Sequence, residues 1–145
     1  KEFLYQKVVE GVKVATALDM YVIVDWHMVG AEDPNDKNPM YYKDEAMEFF
    51  GRITKEFKDY KNVLYEIMNE PNGDTTWAAC KNYANLVIPV IRENTNGIVL
   101  VGNPHWTANL NVVMKDPLQG YENIMYTYHF YANGHTNQKK KTMEE

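Results

Sequence analysis

From Glu2 to Leu18 the apolar residues Leu4, Val8, Val12 and Ala15, with Val9 beside them, recur every three or four positions, which predicts an amphipathic helix. The period then changes. Tyr21-Val22-Ile23-Val24-Asp25-Trp26 is almost continuously apolar and β-branched, as expected of a strand covered on both faces, with Asp19 placed to take the left-handed turn that ends the helix. After a polar loop through Asp33-Pro34-Asn35, the residues Ala46, Phe49, Phe50, Ile53 and Phe57 mark a second helix. Asn62-Val63-Leu64-Tyr65-Glu66-Ile67-Met68 is a second buried strand that breaks into Asn69-Glu70-Pro71-Asn72-Gly73. A third helix runs from about Thr76 to Glu93, capped by Asp74 or Thr75 and kinked at Pro89, with Trp77, Tyr83, Val87 and Ile91 in its stripe. Ile98-Val99-Leu100-Val101-Gly102 is a third strand, Leu110 to Lys115 a short helix, and Ile124 to Tyr131 a fourth strand. Gln138 to Glu145 reads as the opening of another helix.

Helices alternating with buried strands force a parallel sheet with right-handed crossovers. In such sheets the binding groups gather where strands end. All four expected strands end in His, Trp, Tyr, Asn or Glu, which turn chemistry alone does not explain. Period-two alternation refines the picture: Asp25 and His27 share one face of their strand, as do Glu66, Met68 and Glu70, and Thr127, His129 and Tyr131.

Composition narrows the classes. The chain has 145 residues, 45% of them hydrophobic, enough for one globular core. A formal net charge of −5, with lysines clustered only at Lys139-Lys140-Lys141, argues against nucleic acid as a partner. No apolar run approaches the roughly 20 residues needed to cross a bilayer, and the sequence opens in mid-helix rather than on a charged-then-apolar leader, which leaves room for a signal peptide before Lys1. A single cysteine, Cys80, excludes an intramolecular disulfide and a cysteine-rich metal site.

Glu70 is the candidate proton donor. At the mouth of an apolar site a carboxyl group can hold and release a proton near neutral pH, and the neighbouring Asn69 amide can orient a hydroxyl; the competing reading is a turn, since Pro71 and Asn72-Gly73 both punctuate chains. His27 and His129 can position substrate, ligate a metal or simply be satisfied strand-end histidines. Metal ligation is disfavoured because the chain has no His-x-His pair or His-x-x-x-His face. Trp26, Trp106 and Tyr131 are either core aromatics or platforms for a ring face, Trp106 being the best platform candidate from its loop-like setting. Asp25 and Glu66 are expected deeper in the sheet, in a buried polar network. His135 and Cys80 read as structural or surface residues.

Five stretches, Tyr21 to His27, Val63 to Gly73, Val87 to Arg92, Val101 to Trp106 and Met125 to Ala132, resemble successive blocks of glycoside hydrolase family 5, the cellulase A endoglucanases, nearly end to end. Asn-Glu-Pro is shared across the wider clan, whereas Asp-Trp-His and His-Phe-Tyr in this order are more specific. The resemblance implies a parallel (β/α)8 TIM barrel, residues 1–145 supplying about the third to sixth βα units of its catalytic domain. A whole barrel takes about 250 residues. It implies a retaining endoglucanase acting on internal β-1,4-glucosidic bonds of β-glucan, secreted, with no cofactor and no metal. Glu70 would be the acid/base and Asn69 would bind the sugar 2-hydroxyl. His27, His129 and Tyr131 would line that subsite, and Trp106 would stack on a glucosyl ring. The nucleophilic glutamate belongs to a strand beyond those present, since Asp25 and Glu66 lie too deep and Glu32 and Asp74 are in loops. With two open sheet edges, this stretch alone is expected to be poorly stable and inactive. Two rivals are a β-glucan-binding protein that has lost its nucleophile and a barrel metallohydrolase.

Overall fold

The computed structural model describes residues 1–27 and 38–131. The expected loop through Asp33-Pro34-Asn35, Glu32, His135, Lys139 to Lys141 and the helix expected from Gln138 lie outside the described residues. Helix α1 (Glu2–Ala17) leads to strand β1 (Val22–Asp25), then a 3₁₀ turn (Pro39–Tyr42), helix α2 (Lys43–Glu56), strand β2 (Val63–Glu66), helix α3 (Trp77–Arg92) and strand β3 (Val99–Val101). A single helical turn (Pro104–Thr107), a short helix (Leu110–Lys115) and strand β4 (Ile124–Tyr126) complete the order.

The four strands form one parallel sheet in the order β1-β2-β3-β4. Alternation along each strand sorts its side chains. Val24, Val63, Tyr65, Val99 and Val101 are buried against the helices, joined by Phe50, Ile53 and Phe57 and by Tyr83, Val87, Ile88 and Ile91 of α3. The intervening positions Ile23, Asp25, Leu64, Glu66, Leu100 and Met125 face the other way, where Ile23 and Met125 remain 52% and 53% exposed. Register sets Asp25 abreast of Glu66, and Glu66 abreast of Leu100. Two carboxylates are thus adjacent on the open face.

Asp19 takes the expected left-handed conformation, with φ of 56°. Two local expectations are corrected, the cap of α3 and the reach of β4. The cap of α3 is Thr76, whose Oγ1 accepts the Ala79 N–H at 3.2 Å, rather than Asp74 or Thr75, because the helix begins one residue later than expected. Pro89, the expected kink, lies inside α3, and its carbonyl accepts the Glu93 N–H at 3.0 Å. Strand β4 stops at Tyr126 rather than continuing to Tyr131. Beyond it the His129 N–H donates to the Thr107 carbonyl at 2.8 Å, so this backbone pairs with a turn instead of a strand.

Candidate active site

Strand β2, flanked by β1 and β3, delivers Asn69 and Glu70 a few residues past its end. Glu70 Oε1 lies 2.8 Å from His129 Nδ1, and the other nitrogen of that ring, Nε2, lies 3.8 Å from Glu66 Oε1. On the opposite side His27 Nδ1 lies 2.5 Å from Asp25 Oδ2, while His27 Nε2 lies 3.4 Å from Asn69 Nδ2. Four of the sequence-predicted residues therefore fall together at three strand tips as two hydrogen-bonded pairs, His27–Asn69 and Glu70–His129, adjacent through the Asn69-Glu70 peptide, with Asp25 and Glu66 beneath. Trp106 is attached through its backbone, its N–H donating to the Pro71 carbonyl at 3.0 Å, and its indole is 56% exposed. Tyr131 follows β4 and presents most of its surface to solvent. Trp26 is no platform: its ring packs against Phe49 and Phe50. Cys80 is a core residue whose thiol burial pushes up to about 12.

The buried carboxylates are electrostatically unsettled. Burial, the largest cause, and then Asp25 push Glu66 above the usual carboxylate range, opposed by His129, Thr127 and His27. The Thr127 hydroxyl favours the charged form although its placement falls short of hydrogen-bond geometry. Asp25 is likewise raised by burial and eased downward by His27. One oxygen of each, Asp25 Oδ1 and Glu66 Oε1, is buried without a hydrogen-bond partner. Among the described residues no three His, Cys, Asp or Glu side chains are grouped to hold a metal ion.

A second framework, not anticipated from the sequence, holds these tips together. His105, Trp106 and Thr107 have φ of 60°, 56° and 55°, so the Pro104–Thr107 turn is left-handed, a conformation that costs roughly 1–2 kcal/mol per non-glycine residue. Hydrogen bonds offset that cost. The buried Thr107 Oγ1 donates to the Asn69 carbonyl at 2.6 Å, Asn103 Nδ2 donates to the Thr127 carbonyl at 2.8 Å, and Asn103 Oδ1 accepts the Asn109 N–H at 2.6 Å. Gly102 permits the approach: a Cβ there would stand 2.6 Å from the Met68 carbonyl and 3.0 Å from that of Asn69. Asn103-Pro104 after a strand was the available signal, yet it announces only a turn and not its hand.

The family model for cellulase (glycosyl hydrolase family 5) matches residues 1–145. The chain belongs to glycoside hydrolase family 5. It is 49% identical over 136 residues to endoglucanase A of Butyrivibrio fibrisolvens, covering 94% of this chain and 30% of that protein. With the endoglucanase of Clostridium saccharobutylicum it shares 46% identity over 133 residues, 90% of this chain and 28% of the relative. Among solved structures, cellulase Cel5C_n superposes with a TM-score of 0.90 at 38% identity, over 99% of this chain and 44% of that one. A variant of the catalytic domain of Thermobifida fusca endoglucanase Cel5A in complex with cellotetraose gives 0.89 at 35% identity, over 98% and 47%. The chain thus spans about 30% of the length of these two curated relatives, and its four-stranded parallel sheet is part of the family 5 TIM barrel.

Proposed function

We propose that this chain is the central part of a retaining endo-β-1,4-glucanase in which Glu70 is the general acid/base. The observation that carries the reading is the 2.8 Å contact of Glu70 with His129 at the tip of β2, with Asn69 alongside and the open face of the sheet below. Glu70 gives its proton to the glycosidic oxygen as the bond to the anomeric carbon breaks. A glutamate outside the described residues attacks that carbon from the other side, and water later opens the glycosyl-enzyme while returning a proton to Glu70. Asp25 and Glu66 do not serve as nucleophile in this reading, because they sit in the strands beneath Glu70 rather than across a sugar from it.

His27 and Asn69, joined at 3.4 Å, are suited to hold hydroxyls of the sugar at the scissile bond, with Tyr131 on the far side. Trp106, exposed beside Pro71, offers a ring face for stacking on a neighbouring glucosyl unit. The cellotetraose held by the Thermobifida fusca relative supports β-1,4-glucan as the polymer. A polymer too large to enter a cell places the enzyme outside it.

The test is hydrolysis of carboxymethyl-cellulose by three proteins: this 145-residue chain, the chain within a full-length barrel, and that barrel with Glu70→Gln. Only the unaltered barrel should release reducing sugar, Glu70→Gln lowering kcat/KM by roughly 10²–10⁴-fold. A barrel that binds glucan without cleaving it would instead support a non-catalytic binding protein. Activity retained by Glu70→Gln would remove Glu70 from its assigned role.

A further inference from the structure

Glu66 is the buried carboxyl group that the reaction just described leaves unused. It lies on the open face of the sheet at 7% exposure, and its Oε1 accepts no hydrogen bond although Nε2 of His129 stands 3.8 Å away, beyond hydrogen-bonding distance. On its other side the same imidazole meets Glu70, Nδ1 to Oε1, at 2.8 Å. His129 is thus set between two carboxyl groups of one strand, one buried and one at the mouth.

A neutral imidazole carries one N–H, and the partner of one nitrogen decides the role of the other. With the proton on Nδ1, Glu70 must accept it and is held as the carboxylate; the bare Nε2 then faces the unpartnered oxygen of an ionised Glu66 lone pair to lone pair, and only a protonated Glu66 donates to it. With the proton on Nε2, it points at that oxygen, and Nδ1 becomes the acceptor. The 2.8 Å contact then requires the proton on Glu70, the form that an acid must have before the glycosidic bond breaks. We propose that Glu66, as the carboxylate, is a positioning residue that keeps the proton of His129 on Nε2, so that Nδ1 stores the acid proton on Glu70. The assignment rests on the role of Glu70 proposed above. The proton that leaves goes from Glu70 Oε1 to the glycosidic oxygen, and the one that returns comes from the attacking water, so the imidazole itself gains and loses none.

Among the described residues, the groups that act on this row come from three elements. Asp25 and His27 approach from β1 and bond chiefly to each other, while Glu66 and Glu70 come from β2 and Thr127 from the strand of His129 itself. Asp25 Oδ2 is held by His27 and its Oδ1 is unpartnered, but the oxygen nearest His129 Nε2 is that of Glu66, at 3.8 Å.

The test uses the full-length barrel, with imidazole ¹⁵N NMR of His129 beside the pH profile of hydrolysis. The expected result is a wild-type ring protonated at Nε2 and bare at Nδ1. Glu66→Leu, which removes the acceptor, should lower kcat about tenfold, leave KM unchanged and move the basic limb of the profile to lower pH, because Glu70 then gives up its proton more readily. Glu66→Gln, whose amide oxygen can still accept from Nε2, should restore most of the rate and the wild-type limb. A wild-type His129 protonated at Nδ1, or a Glu66→Leu protein with the wild-type profile, overturns the proposal; should Glu66→Leu fail to fold, the wild-type ¹⁵N spectrum decides alone. A wild-type barrel that cleaves no glucan overturns the role of Glu70 instead, and the ring tautomer still reports separately on Glu66.

Discussion

The two faces of the sheet are built from alternate residues of the same four strands and have opposite chemistry. On the helix side, Tyr65, Val99 and Val101 meet Phe50, Ile53, Tyr83 and Ile88 with almost no surface left exposed. On the other side, Asp25 and Glu66 are buried with an oxygen apiece lacking a hydrogen bond, and Ile23 and Met125 stand half exposed. The difference teaches that stability and chemistry are separated by one residue of register. The helix face supplies the free energy that holds the unsettled groups of the other face in place.

The strongest test of that division is a pair of substitutions with opposite readouts. Phe50→Ala deletes a fully buried ring from the helix face and should cost about 3–5 kcal/mol in denaturant unfolding. Glu70→Gln on the other side should leave the unfolding midpoint unchanged while activity collapses. A Phe50→Ala protein of near wild-type stability would mean that the helix-side core is not what holds the sheet. Gly102→Ala probes the one place where the two requirements meet. Its new Cβ, 2.6 Å from the Met68 carbonyl and 2.8 Å from Thr107 Oγ1, must push β2 and β3 apart at their tips, at a cost of about 1–3 kcal/mol. Because Asn69 moves with the tip, a loss of about tenfold to a hundredfold in kcat/KM should accompany it, and loss of stability without loss of rate would sever that link.

The helix face was legible from the sequence because it repeats: a stripe such as Phe50, Ile53 and Phe57, or a run such as Ile98 to Val101, is a periodic signal summed over many residues. The site was legible in part for a related reason. Four strands ending in polar groups locate one rim, and alternation put Glu66 with Glu70, and His129 with Tyr131, on common faces. What periodicity does not encode is the pairing of tips across strands. That His129 bridges Glu66 and Glu70, and that Thr107 reaches the Asn69 carbonyl, follow from register and from a left-handed turn, both set by tertiary contacts. The same cause explains the shortened β4: its tip is claimed by the turn, which no local pattern in Thr127 to Tyr131 announces.

Thr107→Val tests that framework on a smaller scale. The substitution keeps the branched shape and the left-handed backbone but deletes the hydroxyl that donates to Asn69 at 2.6 Å, leaving a buried carbonyl unpaired. It should cost about 1–2 kcal/mol of stability and raise KM for glucan more than it lowers kcat, since Asn69 is a hydroxyl-binding group in the proposed site. Thr107→Ser should recover both. An unaltered KM in a destabilised Thr107→Val protein would confine the turn to a structural part.

The smallest expected effect concerns the cost of burying Glu66. Burial and the neighbouring Asp25 raise it above the usual carboxylate range, so folding favours its neutral form. A raised carboxyl contributes stability that is complete at pH values below that range and is lost as pH climbs through the raised folded value. Asp25 is raised too, and its contribution runs in the same direction. Glu66→Gln is neutral at every pH and nearly the same shape, so it should remove the Glu66 share of this slope and make the protein more stable at neutral pH by about 1 kcal/mol, with no gain at acid pH. Urea midpoints of both proteins measured from pH 4 to pH 8 give the difference directly, and surface carboxylates such as Glu2, lowered by Gln6 and Arg52, cancel between them. A difference that does not change with pH would mean that Glu66 is charged at no cost inside the fold, and the open face would then be as settled as the helix face.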